Sequence, residues 1–245
     1  MRQPRYSYRT SPFYGYLPSG VKWLLISNVA MFLLWYLGGG PVQGHMKTAL
    51  GLYPEAFLRN YYFWQPFTYL FVHGGIGHLL FNMLALWMFG TPLEQDWGTR
   101  RFLKYYFLCG IGAGLCDISA NVAFGHWGIP TIGASGALYG LLLAFGVLYP
   151  ETRVLMNFLF PIKAKYLVII YGAIALLSAL GENSGVSNVA HLGGMLFGYV
   201  YLKGRWPAFR MPDALGAYRQ WRLQRAKKKF QVYMRKHDGR GPWVN

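Results

Sequence analysis

A chain of 245 residues with 54% apolar and 18% aromatic side chains, but only 13% charged ones, carries about half the charge usual in a soluble domain. Its net charge of +16 gathers at the ends: 12 of the 24 Lys and Arg residues follow Leu202, and four fall in the first 22 positions. No basic patch is left for a folded soluble module, which argues against a nucleic-acid binder and for a membrane protein with basic ends.

In chain order, the expected organisation is a basic segment over 1–20, a membrane domain over 21–203 and a basic tail over 204–245. Six apolar stretches stand out: Val21–Leu37, Ile76–Leu93, Phe102–Phe124, Ile132–Leu148, Tyr166–Leu180 and Val186–Leu202. Most reach, or nearly reach, the ~17–25 residues a helix needs to cross a bilayer. The first follows basic residues, as a signal peptide would. It has no small-residue cleavage site and five more stretches come after it, so it reads as a retained span. The connection Gly38–Gly75 holds Trp64, Phe67, Tyr69, Leu70 and Phe71, and amphipathic aromatics favour the membrane interface. A folded loop, not a linker, is expected there. Cys109 and Cys116 lie seven apart in the third stretch; that rise of ~10 Å exceeds the ~7 Å reach of a disulfide, so they do not pair.

Basic residues fall on every second connection and at both ends, while the long first connection carries only Lys47 and Arg59 against Glu55. Arg2, Arg5, Arg9 and Lys22 precede the first stretch, Arg100 and Arg101 follow the second, and Arg153, Lys163 and Lys165 follow the fourth. The connection near 125–131 has no charge, and the fifth has only Glu182. The positive-inside rule then predicts six spans with both termini cytoplasmic. In the tail, Leu215, Tyr218, Trp221 and Phe230 are set among Arg and Lys. That pattern reads either as a basic amphipathic segment on the inner leaflet or as a plain solvated tail.

Polar groups inside spans are costly, so each is a functional candidate. With this topology, spans two, four and six all start at the outer face, and near those starts sit His78 and Asn82, then Ser135, then His191. His78 and Asn82 are four apart and share a helix face. Ser135 opens the fourth span within Gly133-Ala134-Ser135-Gly136. Gly133 permits a sharp entry, and first-turn N–H groups lack intrahelical partners, as an oxyanion requires. Gly136 and Gly140, with Gly194 and Gly198, form small-residue faces that would let two helices approach closely enough for Ser135 and His191 to meet. Asp117, near the outer end of span three, reads as a solvated helix-end carboxylate. No His-Glu-x-x-His helix occurs, so no metal site is expected.

These motifs resemble the rhomboid family of intramembrane serine proteases. Gly133-Ala134-Ser135-Gly136 matches its nucleophile motif, and Tyr139 its tyrosine one turn later. His73, His78 and Asn82 match its second-helix pattern, Ala190-His191-Leu192-Gly193-Gly194 its last-helix pattern, and Glu94 with Gly98 the end of its second helix. One departure is that the family's loop Trp-Arg is here Trp64-Gln65. The resemblance covers about Val21 to Leu202 and implies an all-α, polytopic, six-transmembrane-helix rhomboid-like bundle with a folded first loop. It implies a Ser135–His191 dyad with no cofactor. Ser135, Ala134, His78 and Asn82 would form the oxyanion hole, Tyr139 would pack on His191, and His73 would stabilise the loop. Expected partners are the lipid bilayer and transmembrane protein substrates, with no nucleic acid and no metal. The expected location is a prokaryotic plasma membrane, with lateral opening at span five. An inactive, binding-only relative and a small-molecule transporter are the competing readings; the intact Ser135 and His191 disfavour the first, and the polar cluster near one face disfavours the second.

Overall fold

The structure, a computed structural model, describes residues 17–156, 160–181, 188–204 and the single position 225. The chain divides into two compact units, Met1–Gly204 and Arg205–Asn245. The amphipathic reading of the tail, Glu182 and the arginines of the first nine residues lie outside the described residues.

Helix α1, Ser19–Leu37, is apolar on every side. Gly20, Val21, Leu24, Asn28 and Phe32 are its buried positions, a stripe repeating every three to four residues. Leu33, Leu34 and Leu37 on the remaining surface are exposed, as lipid contact requires. Its first turn is held from a distance: the Glu94 carboxylate accepts from Gly20 N–H and Val21 N–H, both at 2.7 Å, and from Thr99 Oγ1 at 2.5 Å. Those are two of the four N–H groups a helix start leaves without a turn to bond to. Glu94 is itself buried, so its charge answers the positive end of the helix in a site shielded from water.

The first connection is folded. It contains α2 (Gly39–Leu50), α3 (Pro54–Arg59), α4 (Gln65–Thr68) and a 3₁₀ turn at Tyr69–Phe71. Side chains tie it to its own backbone: Trp64 Nε1 donates to Ala49 O at 2.8 Å and Thr68 Oγ1 to Leu50 O at 2.8 Å. Gln65, where the family often has arginine, is fully buried. Its Oε1 accepts from Tyr53 N–H at 3.1 Å, and its Nε2 donates to Thr48 O at 3.0 Å. An uncharged amide therefore does the anchoring, with both its donor and its acceptor used.

The second long segment, α5 (Ile76–Ala85), passes through a π turn at Leu86–Gly90 into α6 (Thr91–Trp97). Pro92 near the start of α6 cannot donate to the turn before it, and the widened turn lies where that bond is lost. Then come α7 (Thr99–Ala123), α8 (Ser135–Leu148), α9 (Ala164–Leu180) and α10 (Asn188–Lys203). Helices α7, α8 and α10 form the centre of the bundle, and α9 packs on α8 and α10.

A helix thus stands at each of the six apolar stretches. Ser19–Leu37, Ile76–Trp97 and Thr99–Ala123 are long and apolar enough to cross a membrane, whereas Ser135–Leu148 and Ala164–Ala179 are shorter. The fold is mostly helical, but it departs from an all-α reading among the described residues. The fourth connection forms a hairpin, β1 (Arg153–Met156) antiparallel to β2 (Phe160–Lys163), with Arg153 opposite Lys163. Its base is tied by Glu151, which meets Lys163 at 2.7 Å and Lys165 at 2.5 Å. Hydrogen bonds from Lys163 and Lys165 hold the Glu151 carboxyl down at about 2. What this exposed contact adds is therefore present above the ordinary carboxylate range and lost only as pH falls through about 2.

Candidate active site

The site begins with a turn that only glycine takes easily. Gly133 has φ +108°, and its N–H is held by Tyr69 O at 2.9 Å. A side chain there would also have its Cβ 2.6 Å from His78 Nε2. The chain bends at this point, Ala134 follows as the N-cap residue, and Ser135 is the first residue of α8. The Ser135 hydroxyl is therefore presented at a helix N-terminus, beside N–H groups that have no preceding turn to bond to. No side chain caps this end.

His191 approaches from α10. Its Nε2 lies 2.8 Å from Ser135 Oγ, although the residues are 56 apart in sequence. Serine has one carbon between backbone and oxygen, so the two helices must nearly touch. They do: a Cβ on Gly194 would lie 1.9 Å from Gly136 O, and one on Gly140 would lie 3.1 Å from Gly194 O. The Tyr139 ring, one turn after Ser135, stacks on the His191 ring with centroids 4.1 Å apart and planes within 6°. His191 is buried while Ser135 is half-buried. Among the described residues, His191 Nδ1 has no hydrogen-bond partner.

His78 lies against the Gly133 backbone, and its Nδ1 accepts a long 3.5 Å contact from Gly74 N–H. An accepting Nδ1 leaves Nε2, which lies beside Gly133, as the nitrogen that would carry the ring proton. Asn82, also buried, donates from Nδ2 to His78 O at 2.6 Å. His73 precedes α5, and its ring packs edge-on against His78 at 5.0 Å. The structure thus brings Ser135, His191, Tyr139, Gly133, Gly136 and Gly194 into one cluster, joined through Gly133 by His78. Asn82 and His73 are linked to it by way of His78.

His73 is 1% exposed, and burial, assisted by the neighbouring His78, lowers its pKa from 6.5 to about 4. The folded protein keeps it neutral where the unfolded chain would take up a proton. Its contribution is complete above 6.5 and is lost as pH falls towards about 4. The thermal midpoint of the purified protein should therefore drop over that window, by a destabilisation of about 3 kcal/mol. His73→Asn should flatten the drop. Identical pH slopes for the two proteins would contradict this assignment.

Asp117 requires a correction. It is not a solvated helix-end residue but is 3% exposed. Its Oδ2 accepts from Asn121 Nδ2 at 2.9 Å and from Thr131 Oγ1 in a shorter contact. Its burial has a physical reason, since Asn121 and Thr131 each donate to it and neither competes for its charge. Thr131 is the site-proximal residue that sequence reasoning missed. The available signal was the rarity of an intramembrane carboxylate, which demands a partner. Both cysteines are free, and no cluster of metal-ligating side chains occurs among the described residues.

Comparison with known proteins places the chain in a family. The family model described as the rhomboid domain matches residues 60–207. The chain is 33% identical to Rhomboid protease GluP of Bacillus subtilis (strain 168), over 70% of this chain and 32% of that protein. It is 38% identical to RHOMBOID-like protein 1 of Arabidopsis thaliana, over 57% of this chain and 34% of that protein. It is 32% identical to Rhomboid protein 1, mitochondrial, of Saccharomyces cerevisiae (strain ATCC 204508 / S288c), over 84% and 57% respectively. The chain therefore spans from a third to somewhat over half the length of these relatives. The domain match covers more than half of the chain and includes Ser135, Tyr139 and His191, and with its long apolar helices this integral membrane protein belongs to the rhomboid family.

Proposed function

We propose that this protein is an intramembrane serine endopeptidase that cuts transmembrane segments of other membrane proteins through a Ser135–His191 dyad. One observation carries the reading: a half-buried hydroxyl at a helix N-terminus lies 2.8 Å from a buried imidazole nitrogen. Family membership and a relative named as a protease support it.

In this scheme His191 Nε2 accepts the Ser135 proton as Oγ bonds to the substrate carbonyl carbon. Charge moves to the carbonyl oxygen. The N–H groups of Ser135 and Ala134, His78 Nε2–H and the second amide hydrogen of Asn82 are its donors. His191 then protonates the leaving amine, and water, deprotonated by the same nitrogen, hydrolyses the acyl-enzyme. Tyr139 keeps the imidazole plane fixed. No cofactor or metal enters these steps.

The membrane layout belongs to the same reading. Six spans over 21–203 lie between a basic 1–20 segment and a basic 204–245 tail, with both termini cytoplasmic in a plasma membrane. The alternation of basic connections supports it. Helix α8 has 14 residues and so covers about 21 Å of a roughly 30 Å hydrocarbon core. Its N-terminus, with Ser135, then lies below the outer surface, where water must enter from that side. A substrate helix would arrive laterally, past α9.

The test is cleavage of a transmembrane substrate by the reconstituted protein and by Ser135→Ala, with fluorophosphonate labelling of the hydroxyl as a separate readout. Cleavage and labelling should both vanish in the variant. Equal cleavage by both proteins would overturn the Ser135 mechanism, and a wild type that neither cleaves nor is labelled would leave the binding-only reading.

A further inference from the structure

We propose that Asp117 is a positioning residue for the nucleophile, holding the segment that delivers Ser135; this rests on the peptidase reading above. A carboxylate inside a membrane helix is expensive and persists where hydrogen bonds answer its charge. Asp117 is nearly inaccessible and accepts from Asn121 within α7 and from Thr131 beyond it. The second is the informative one, because Thr131 lies four residues before Ser135.

Thr131 is fixed on its other side as well. Its backbone exchanges both hydrogen bonds with Leu52 of the first connection, N–H to O in each direction at 2.9 Å. Leu52 is fully buried and packs where Gly114 of α7 leaves room: a Cβ on that glycine would lie 2.8 Å from Leu52 Cδ2. Two residues further on, Gly133 N–H is held by Tyr69 O, and the Tyr69 hydroxyl donates to Gly110 O of α7 at 2.6 Å. The segment 131–133 is therefore pinned at alternate residues, and both pins lead back to α7. Ser135 follows only two residues after the last one.

The consequence is geometric. Oxyanion donors act only when aimed at the place where charge develops, and a misplacement of about 1 Å costs roughly 100-fold. Without the carboxylate, the Thr131 side chain loses its acceptor and the segment keeps only its backbone pairing. The Ser135 and Ala134 N–H groups then drift with it. Substrate binding along the helices is not affected, so kcat falls while KM does not.

The experiment compares wild type with Thr131→Val, Asp117→Ala, Asp117→Asn and the Asp117→Ala/Thr131→Val double variant, each reconstituted and normalised to the fluorophosphonate-titrated fraction. Thr131→Val is close to isosteric and covers the case in which Asp117→Ala does not fold. We expect kcat to fall about 10–100-fold in Thr131→Val and in Asp117→Ala, with KM within about twofold of wild type. The labelling rate should fall in parallel, since the phosphonate oxygen uses the same donors. The double variant should be no worse than the worse single, and Asp117→Asn, which retains an acceptor oxygen, should recover most of the rate. Full kcat in Thr131→Val beside an inactive Ser135→Ala overturns this inference alone, as do additive losses in the double variant. Equal cleavage by wild type and Ser135→Ala overturns the peptidase reading and this inference with it.

Discussion

His191→Ala lowers kcat for a transmembrane substrate by ~10⁴-fold or more and leaves KM nearly unchanged. The expectation follows from the 2.8 Å contact with Ser135 Oγ, because no other base stands in reach of that hydroxyl among the described residues. An unassisted serine hydroxyl is a weak nucleophile near neutral pH, and removing its base returns it to that state. The neighbouring ring separates a role in chemistry from one in packing. Tyr139→Phe keeps the stacked face against His191 and should cost less than about tenfold. Tyr139→Leu removes it and should cost more, with a change in the pH profile of kcat as the imidazole loses its cover. Substantial cleavage by His191→Ala would remove the dyad from consideration.

Gly194→Ala is the second large effect, and it acts through the backbone. The added methyl group would sit 1.9 Å from Gly136 O and 2.8 Å from its carbonyl carbon. No side-chain rotation relieves a contact with backbone, so α8 and α10 must separate by more than an ångström or the variant must not fold. We expect a loss of ~3 kcal/mol or more in stability, read as a fall in thermal midpoint. In whatever folds, cleavage should fall by ~100-fold or more, since the same separation opens the Ser135–His191 contact. Gly172→Ala is the control. Its nearest neighbour beyond the helix would be Met195 at 3.6 Å, an ordinary contact, so helix propensity makes it neutral or slightly stabilising. A Gly194→Ala protein with the midpoint and cleavage of wild type would show that the close approach is not required.

Much of the site was legible in the primary structure because membrane burial makes polar residues conspicuous. Ser135, His191, His78 and Asn82 stand out against apolar neighbours, and the glycines beside them announce where helices approach. Gly133 could be read as a turn because few other residues adopt that backbone conformation. Asp117 was misread for an equally physical reason. A carboxylate near a helix end looks solvated unless its partners are known, and Thr131 lies beyond the helix, in a connection with no pattern of its own. Gln65 was similar: the missing arginine was visible, but its replacement by two amide hydrogen bonds depended on where Tyr53 and Thr48 fold back. The hairpin after α8 was also hidden, since its strands are four residues each, too short for a period to register.

Composition and hydrophobic spacing, acting alone, determined that the chain lives in a bilayer, where its helices run and which side chains are too polar to be there by default. Those properties are local: each helix satisfies its own backbone hydrogen bonds, so a stretch of sequence suffices to specify it. The tertiary structure decided which of those side chains touch. The imidazole over the hydroxyl, Glu94 on the first turn of α1 and Asp117 on the segment before Ser135 all join residues far apart along the chain or in separate elements. Such contacts are set by how whole helices pack, and that is a property of pairs of surfaces, not of any one segment.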